Sequence, residues 1–161
     1  ARALRLEPDL DAAVAAVDAL VADLGARGVL NETACLDVAI ALREALANAI
    51  FHGTLELPPP SFDMDDEVAE RVRAELASRR GREPYASRRV TLYVVESDAS
   101  VALVVEDEGP GYDPSAIPDP TESPSLRATG RGIFLMRELM DDLRFEDEGR
   151  RVTLVKRRGP A

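Results

Sequence analysis

Residues 34–51 of this chain read "ACLDVAIALREALANAIF", and this run constrains the fold more than any other stretch. It is apolar on nearly all sides of a helix, so it predicts a helix that is buried on most of its surface. Asn31 is a suitable N-cap for that helix, and Gly53 is a suitable residue just beyond its end.

The remaining periodicities predict two hairpins and three further helices. A short strand at 3–6 precedes a helix with an apolar stripe at 10–24, which we expect to begin at Asp9 or Asp11 and to stop at Gly25. The runs "RVTLYVVES" and "VALVVEDEG" predict one hairpin, and "DLRFEDEGRRVTLVKRR" predicts a second that turns at Asp147–Gly149. A helix should lie between the hairpins, from Gly130 or Gly132 to about Asp141.

This order predicts an α+β fold, an α/β sandwich in which helices cover one face of a mixed, mostly antiparallel sheet. We expect a single domain over residues 1–161. The segment 55–89, proline-broken at first and then helical at about 65–80, is predicted to be an insertion with a mostly solvated helix. Residues 112–128 hold four prolines and no periodicity, and therefore predict a loop.

Composition excludes several functions. A net charge of −10 argues against a nucleic-acid partner. With one cysteine (Cys35) and one histidine (His52), a four-ligand zinc site is not expected, and Cys35 should pack in the core of a cytoplasmic protein. The start "ARALRLEPDL" has no apolar segment of a signal peptide, and no run is long enough to cross a membrane. The one lysine, Lys156, has no glycine loop before it, which excludes a Walker A motif.

Three polar side chains recur along the buried helix. Glu44, Asn48 and His52 are spaced four residues apart and so share one stripe. A carboxylate and an amide in an apolar helix are costly unless they have partners, so each is either a satisfied structural group or part of a site. His52 lies beside Gly53, where an imidazole can cap free carbonyls, and a structural role is the more favoured reading.

Two glycine clusters follow later in the chain. "DEGPG" at 107–111 ends a strand, and its Asp107 carboxylate is able to accept a hydrogen bond from a ligand amine, while Gly109 and Gly111 permit close backbone approach or simply a turn. "TGRG" at 129–132 opens a helix, whose free N–H groups and dipole favour an anion. Each cluster alone is a weak signal.

The combination, in this order, resembles the GHKL superfamily of histidine kinase-like ATPases. The resemblance covers "LDVAIALREALANAIFHG" and residues 89–157, and "GRGIFLMRELMDDLRF" is most similar to the anti-sigma factor serine kinases of the RsbW/SpoIIAB type. It implies a Bergerat-type ATP-binding fold, ATP and Mg²⁺ as cofactors, and residues 112–128 as the ATP lid. Glu44 matches the general base and Asn48 the Mg²⁺ ligand.

At the nucleotide itself, the resemblance implies that Asp107 accepts from the adenine amino group, with Gly109 and Gly111 as the pocket floor. It implies phosphate binding by Thr129, Gly130, Arg131 and Gly132. No lysine is required, because phosphoryl transfer asks a protein mainly for positioning and charge stabilisation.

The resemblance also implies the activity: a serine/threonine kinase that phosphorylates a partner such as a STAS-domain antagonist. It implies a sigma factor, a STAS-domain anti-anti-sigma factor, or both as protein partners. Homodimers are common in that family, so a homodimer is an expectation by analogy. Two alternatives stay open. One is a non-catalytic module that docks a partner when ATP orders the lid, and the other is a detached histidine-kinase domain, which the short sequence after "GRG" disfavours. The 55–89 insertion, longer than usual for the family, could mask or create a partner surface.

Overall fold

The computed structural model describes residues 1–57, 65–113 and 131–159, and for Arg131 it describes the backbone alone. The helices are α1 (Leu10–Ala26), α2 (Glu32–Asn48), a π-helix (Ala49–Thr54), α3 (Asp66–Arg80), a 3₁₀ turn (Tyr85–Ser87) and α4 (Arg131–Leu139). The strands are β1 (Arg2–Leu6), β2 (Val90–Glu96), β3 (Ser100–Asp107), β4 (Asp142–Glu146) and β5 (Arg151–Arg157).

The strands form one five-stranded sheet in the order β1-β2-β3-β5-β4. Every pairing in it is antiparallel, so the sheet is more regular than the mixed one that the sequence allowed. Both predicted hairpins are present, and the second turns through Asp147 and Glu148, which adopt positive φ angles of 53° and 55°. The predicted α+β class is confirmed.

The inward face of the sheet is set by strict alternation along β3. Val101, Leu103 and Val105 are buried, and so is Asp107 at the end of the same row. Successive side chains of a strand point to opposite faces, so Asp107 shares its face with the hydrophobic core and not with solvent. The register sets Asp107 opposite Val90 of β2. The last inward position of β3 is therefore a carboxylate facing the helical layer.

Helix α2 lies in the middle of that layer, with α1 on one side and α4 on the other. Its buried residues, Ala34, Val38, Ala41, Leu42, Ala45 and Leu46, fill the space over the sheet. The Asn31 side chain accepts from the Ala34 N–H at 2.8 Å, which confirms the predicted N-cap. Cys35 packs at the edge of this core, where burial raises the pKa of its thiol.

Two predicted helix ends were wrong. Helix α1 passes through Gly25 to Ala26, and the left-handed residue that follows is Gly28, with φ of 68°. Helix α2 does not end at Gly53: it widens after Asn48 into the π-helix, in which Leu55 N–H bonds to the Ile50 carbonyl at 2.9 Å. Gly53 therefore lies inside a helical turn. A π-helix of this kind is rare and is frequent at functional sites.

Helix α3 confirms the predicted helix of the 55–89 segment. Asp65 caps it by accepting from the Glu67 N–H at 2.8 Å, and Arg79 and Arg80 lie in its last turn, matched to the helix dipole. Leu76 is buried in the main core, whereas Val68 is exposed. Within the described residues, no helix is both long and apolar enough to cross a membrane.

Candidate functional site

Asp107 is a buried carboxylate at the junction of sheet and helices. Only 4% of the residue is exposed. Its Oδ1 accepts from the Gly109 N–H at 2.9 Å, and its own N–H donates to the Arg150 carbonyl at 2.9 Å. Burial raises the pKa of Asp107 to about 6, although the Gly109 hydrogen bond and the charges of Arg150 and Arg88 act in the opposite direction. At neutral pH the group is mostly ionised and able to accept from a donor.

The wall facing Asp107 is made by two glycines. A β-carbon on Gly53 would collide with both carboxylate oxygens of Asp107, and one on Gly109 would collide with the Gly53 carbonyl oxygen. Only a residue without a side chain allows this approach of the π-helix to the end of β3. The three residues form one unit, in which the backbone of the π-helix lies directly on the strand-end carboxylate.

Gly111 continues this turn in a conformation that favours glycine, with φ of 90°, and a β-carbon there would lie 2.6 Å from the Glu148 carbonyl oxygen. The next residue, Tyr112, donates its N–H to the same carbonyl at 2.8 Å. Burial and the charge of Asp107 raise the pKa of Tyr112 to about 12, so it stays protonated. The β4–β5 turn thus packs directly against the end of the "DEGPG" turn.

Glu44 lies against the first turn of α4. A β-carbon on Gly132 would lie 2.7 Å from Glu44 Oε2, so the carboxylate fills the place that a side chain at 132 would take. The structure thereby brings together the acidic residue of α2 and the second glycine of "TGRG". Asn48, one turn further along α2, is the last residue of that helix and is half-buried.

His52 does not cap the helix as expected. The last carbonyls of the π-helix accept from the side chains of Arg79 and Arg88, and the imidazole instead packs near the ring of Tyr112, with centroids 6.0 Å apart. Burial lowers the pKa of His52, so the ring is neutral at physiological pH. A structural role for His52 stays a prediction. A cleft of about 260 Å³ lies alongside, lined by His52, Glu56, Leu57, Pro110, Gly111 and Tyr112.

Some predicted site residues lie outside the described part of the chain. These are Thr129, Gly130 and all but the first two residues of the predicted lid at 112–128. Arg131 begins α4, and the structure describes its backbone only. In the described residues, no group of three or more His, Cys, Asp or Glu could hold a metal ion. A divalent cation near Asn48 would therefore need waters or phosphate oxygens among its other ligands.

A second cleft, of about 390 Å³, lies far from these residues. It is lined by Ala1, Arg2, Asp23, Arg27, Val94 and Glu96. Its charges pair with each other, Arg2 with Asp23 at 3.1 Å and Arg27 with Glu96 at 2.7 Å. Glu96 ends β2, at the opposite end from Val90 and Asp107. The paired charges make this a salt-bridged surface rather than a candidate site.

Three residues in or beside the site are not identified from the sequence. The sequence predicts Gly53 as the end of a helix, although its place five residues after Asn48 puts it near the site. Thr54, fully buried, carries a hydroxyl with no hydrogen-bond partner among the described residues, which is unusual for a buried group. Arg88, whose charge acts on Asp107, had no signal in its local sequence.

The arrangement fits a nucleotide in two respects: a buried acceptor beside glycines that permit close approach, and a carboxylate beside a helix start. No curated protein matches the chain. The sequence does match the histidine kinase-like ATPase domain over residues 6–156, which covers every helix described above and the strands β2, β3 and β4 in full. This confirms the superfamily resemblance and supports ATP binding. The chain therefore belongs to the family of histidine kinase-like ATPase domains.

Proposed function

We propose that this domain binds Mg-ATP and transfers the γ-phosphate to a serine or threonine of a partner protein, as anti-sigma factor kinases of the RsbW/SpoIIAB type do. The observation that carries the proposal is the contact of Glu44 with Gly132. It brings a carboxylate, the chemical group that a general base requires, to the start of the helix whose free N–H groups favour phosphate.

The residues fit the two ends of ATP. Asp107, mostly ionised at neutral pH, would accept from the exocyclic amine of adenine, and Gly53 and Gly109 would let the base lie against backbone. Gly109 and Gly111 would form the floor, and Thr129, Gly130, Arg131 and Gly132 would hold the phosphates. Mg²⁺ would be held by Asn48 and would supply charge neutralisation on those phosphates.

In the transfer step, the hydroxyl oxygen of the partner attacks the γ-phosphorus, the bond to the β–γ bridging oxygen breaks, and ADP leaves. Glu44 takes the proton of the attacking hydroxyl. Glu44 lies on α2 and the phosphate-binding helix start belongs to α4. These two helices pack directly against each other, which provides positioning of the kind that phosphoryl transfer needs.

The experiment that tests this proposal compares the wild-type domain with Glu44→Gln. Mg-ATP affinity is measured by calorimetry, and phosphate on serine or threonine is measured by mass spectrometry with purified STAS-domain proteins of the source organism. Transfer should fall by about 10²-fold or more in Glu44→Gln, with ATP affinity within about threefold of wild type. Transfer that survives the change would remove Glu44 from the mechanism.

The second candidate function is ATP-dependent docking without transfer. It is favoured if the wild type binds ATP and retains a sigma factor or STAS-domain protein only with nucleotide present, while no phosphate appears on that partner. Absence of ATP binding by the wild type would contradict both functions. A homodimer is proposed by analogy with the family, and light scattering on the same purified protein measures it.

A further inference from the structure

Two arginines of the 55–89 segment donate hydrogen bonds to the end of the π-helix. Arg79 Nη1 donates to the Leu55 carbonyl at 2.7 Å and to the Glu56 carbonyl at 3.2 Å. Arg88 Nη1 donates to the Thr54 carbonyl at 2.7 Å. The last carbonyls of a helix lack intrahelical partners, so these bonds satisfy groups that would otherwise need water. Both arginine side chains are largely buried, with 20% and 16% exposed.

A tyrosine joins the two arginines. The guanidinium carbons of Arg79 and Arg88 lie 5.0 and 5.1 Å from the ring centroid of Tyr85, within the range of a cation–π interaction. Arg88 also pairs with Glu56 at 2.8 Å, and Arg79 pairs with Glu75 at 3.0 Å. Arg79, Tyr85 and Arg88 together are called the arginine clamp below.

The clamp acts on the residues that face Asp107. It holds the carbonyls that directly follow Gly53, and the Gly53 backbone lies on the Asp107 carboxylate. The Gly53 backbone contacts the carboxylate with no side chain in between. A shift of this helix end by a fraction of an ångström would therefore change the space around the Asp107 carboxylate. Arg88 also contributes directly, since its positive charge favours the ionised form of Asp107. Arg88 thus affects both the position of the π-helix end and the charge of Asp107.

We propose that the arginine clamp positions the Gly53 backbone against the Asp107 carboxylate and thereby sets the preference of this domain for a 6-aminopurine nucleotide. The clamp residues are positioning residues that act through the π-helix. The inference rests on the proposed nucleotide binding. It gives the 55–89 segment a role within the nucleotide site, in addition to any role at a partner surface.

The chemistry of the base provides the readout. ADP offers an amino donor at C6 to an ionised carboxylate, whereas IDP offers a carbonyl oxygen, which the carboxylate repels. Hydrogen bonds to charged groups are among the stronger ones in proteins, so the wild type should bind ADP at least about tenfold more tightly than IDP. The two nucleotides carry identical phosphates, so the ratio of their dissociation constants reports the base end alone.

The test measures both dissociation constants by calorimetry for the wild type, Arg79→Ala, Arg88→Ala and Tyr85→Leu. The ratio should fall about tenfold in Arg88→Ala, toward equal affinity, and should fall in the other two as well. Two variants serve as controls. Arg82→Ala removes an arginine that is 55% exposed and pairs with Glu75, and Tyr85→Phe retains the ring. Both should keep the wild-type ratio.

The outcomes separate the inference from the function on which it rests. Equal losses for ADP and IDP in the clamp variants would show a merely structural role and overturn the inference. Unchanged ratios in folded variants would also overturn it. Where Arg88→Ala fails to fold, Tyr85→Leu and Arg79→Ala decide. A wild type that binds neither nucleotide would contradict the proposed function itself.

Discussion

The carboxylate of Asp107 lies on the backbone of Gly53, so closely that residue 53 has no room for a side chain. Asp107 is buried and partly compensated, by one N–H bond and by the charges of Arg150 and Arg88. Buried carboxylates are costly, and the raised pKa of Asp107 measures that cost. The free protein therefore holds a charged acceptor in a place where an uncharged group would be more stable, as binding sites often do.

Replacing Asp107 by Asn should separate stability from binding. The folded pKa of about 6, against 3.8 for the free side chain, means that ionised Asp107 destabilises the fold at pH 7 by up to about 3 kcal/mol. Asn removes the charge, so we expect thermal stability at pH 7 to rise or stay level while ATP affinity falls by about tenfold or more. Differential scanning calorimetry and ATP titration measure the two effects.

Glu106→Gln is the matched control for that variant. Glu106 precedes Asp107 on β3, and its side chain pairs with Arg151 at 3.0 Å. As a partly exposed ion pair it should contribute less than about 1 kcal/mol, with no effect on ATP affinity. A large loss of stability in Asp107→Asn, with unfolding well below the wild-type temperature, would contradict the account of a strained carboxylate.

Base recognition should weaken as the pH falls through 6. Asp107 accepts from an amine only when ionised, and its ionised fraction drops from about 0.9 at pH 7 to about 0.1 at pH 5. The ratio of IDP to ADP dissociation constants should therefore fall about tenfold over that range. The stability term has the opposite sign: because the folded pKa is raised, its destabilising effect disappears toward low pH. A ratio that stays constant from pH 8 to 5 would show that Asp107 does not contact the base.

The elements of the fold could be predicted because their signals are local. The alternation along β3, the apolar run of α2 and the Asn31 cap each lie within a few residues of what they specify. The wider α2–π-helix junction could not be predicted, since glycine at 53 reads as a stop by every local rule. Its actual role, to let the π-helix lie on Asp107, depends on a contact between residues 54 positions apart in sequence.

Some residues of the candidate site could likewise be predicted from the sequence, and others could not. Glu44, Asp107 and the glycines could be chosen by type and order, because their order resembles a family pattern. The arginine clamp could not, because arginines are abundant in this chain and mark nothing by themselves. Only the fold shows that Arg79 and Arg88 reach main-chain carbonyls, whereas the Arg82 side chain pairs with Glu75.

Gly132→Ala should impair transfer more than folding. The added methyl would lie 2.7 Å from Glu44 Oε2, the far end of a flexible side chain, so the carboxylate and not the backbone has to move. Moving the proposed base by about 1 Å should reduce phosphate transfer about 10²-fold. The rate of phosphate transfer is measured with the partner protein at saturating concentration. Gly159→Ala, near the chain end, is a control that should keep the wild-type rate.

Lys156 links three elements, and replacing it by Met should loosen them. Its Nζ pairs with Asp37 of α2 at 2.8 Å and donates to the Leu139 carbonyl at the end of α4 at 2.7 Å. The change leaves a half-buried Asp37 charge and an unpaired carbonyl, so we expect a loss of about 2 kcal/mol and a fall in Tm of roughly 4–8 °C. Arg157→Met, at the exposed end of β5, is the matched control and should change Tm by less than about 2 °C.

A double-mutant cycle decides whether the ion pair is responsible. Asp37→Asn combined with Lys156→Met should cost less than the sum of the single changes, because the second change removes the charge that the first left unpaired. Since α4 also carries Gly132, the single lysine variant should bind ATP more weakly as well, and the double variant should recover part of that affinity. Additive losses of Tm would instead assign the effect of Lys156 to its bond with Leu139 alone.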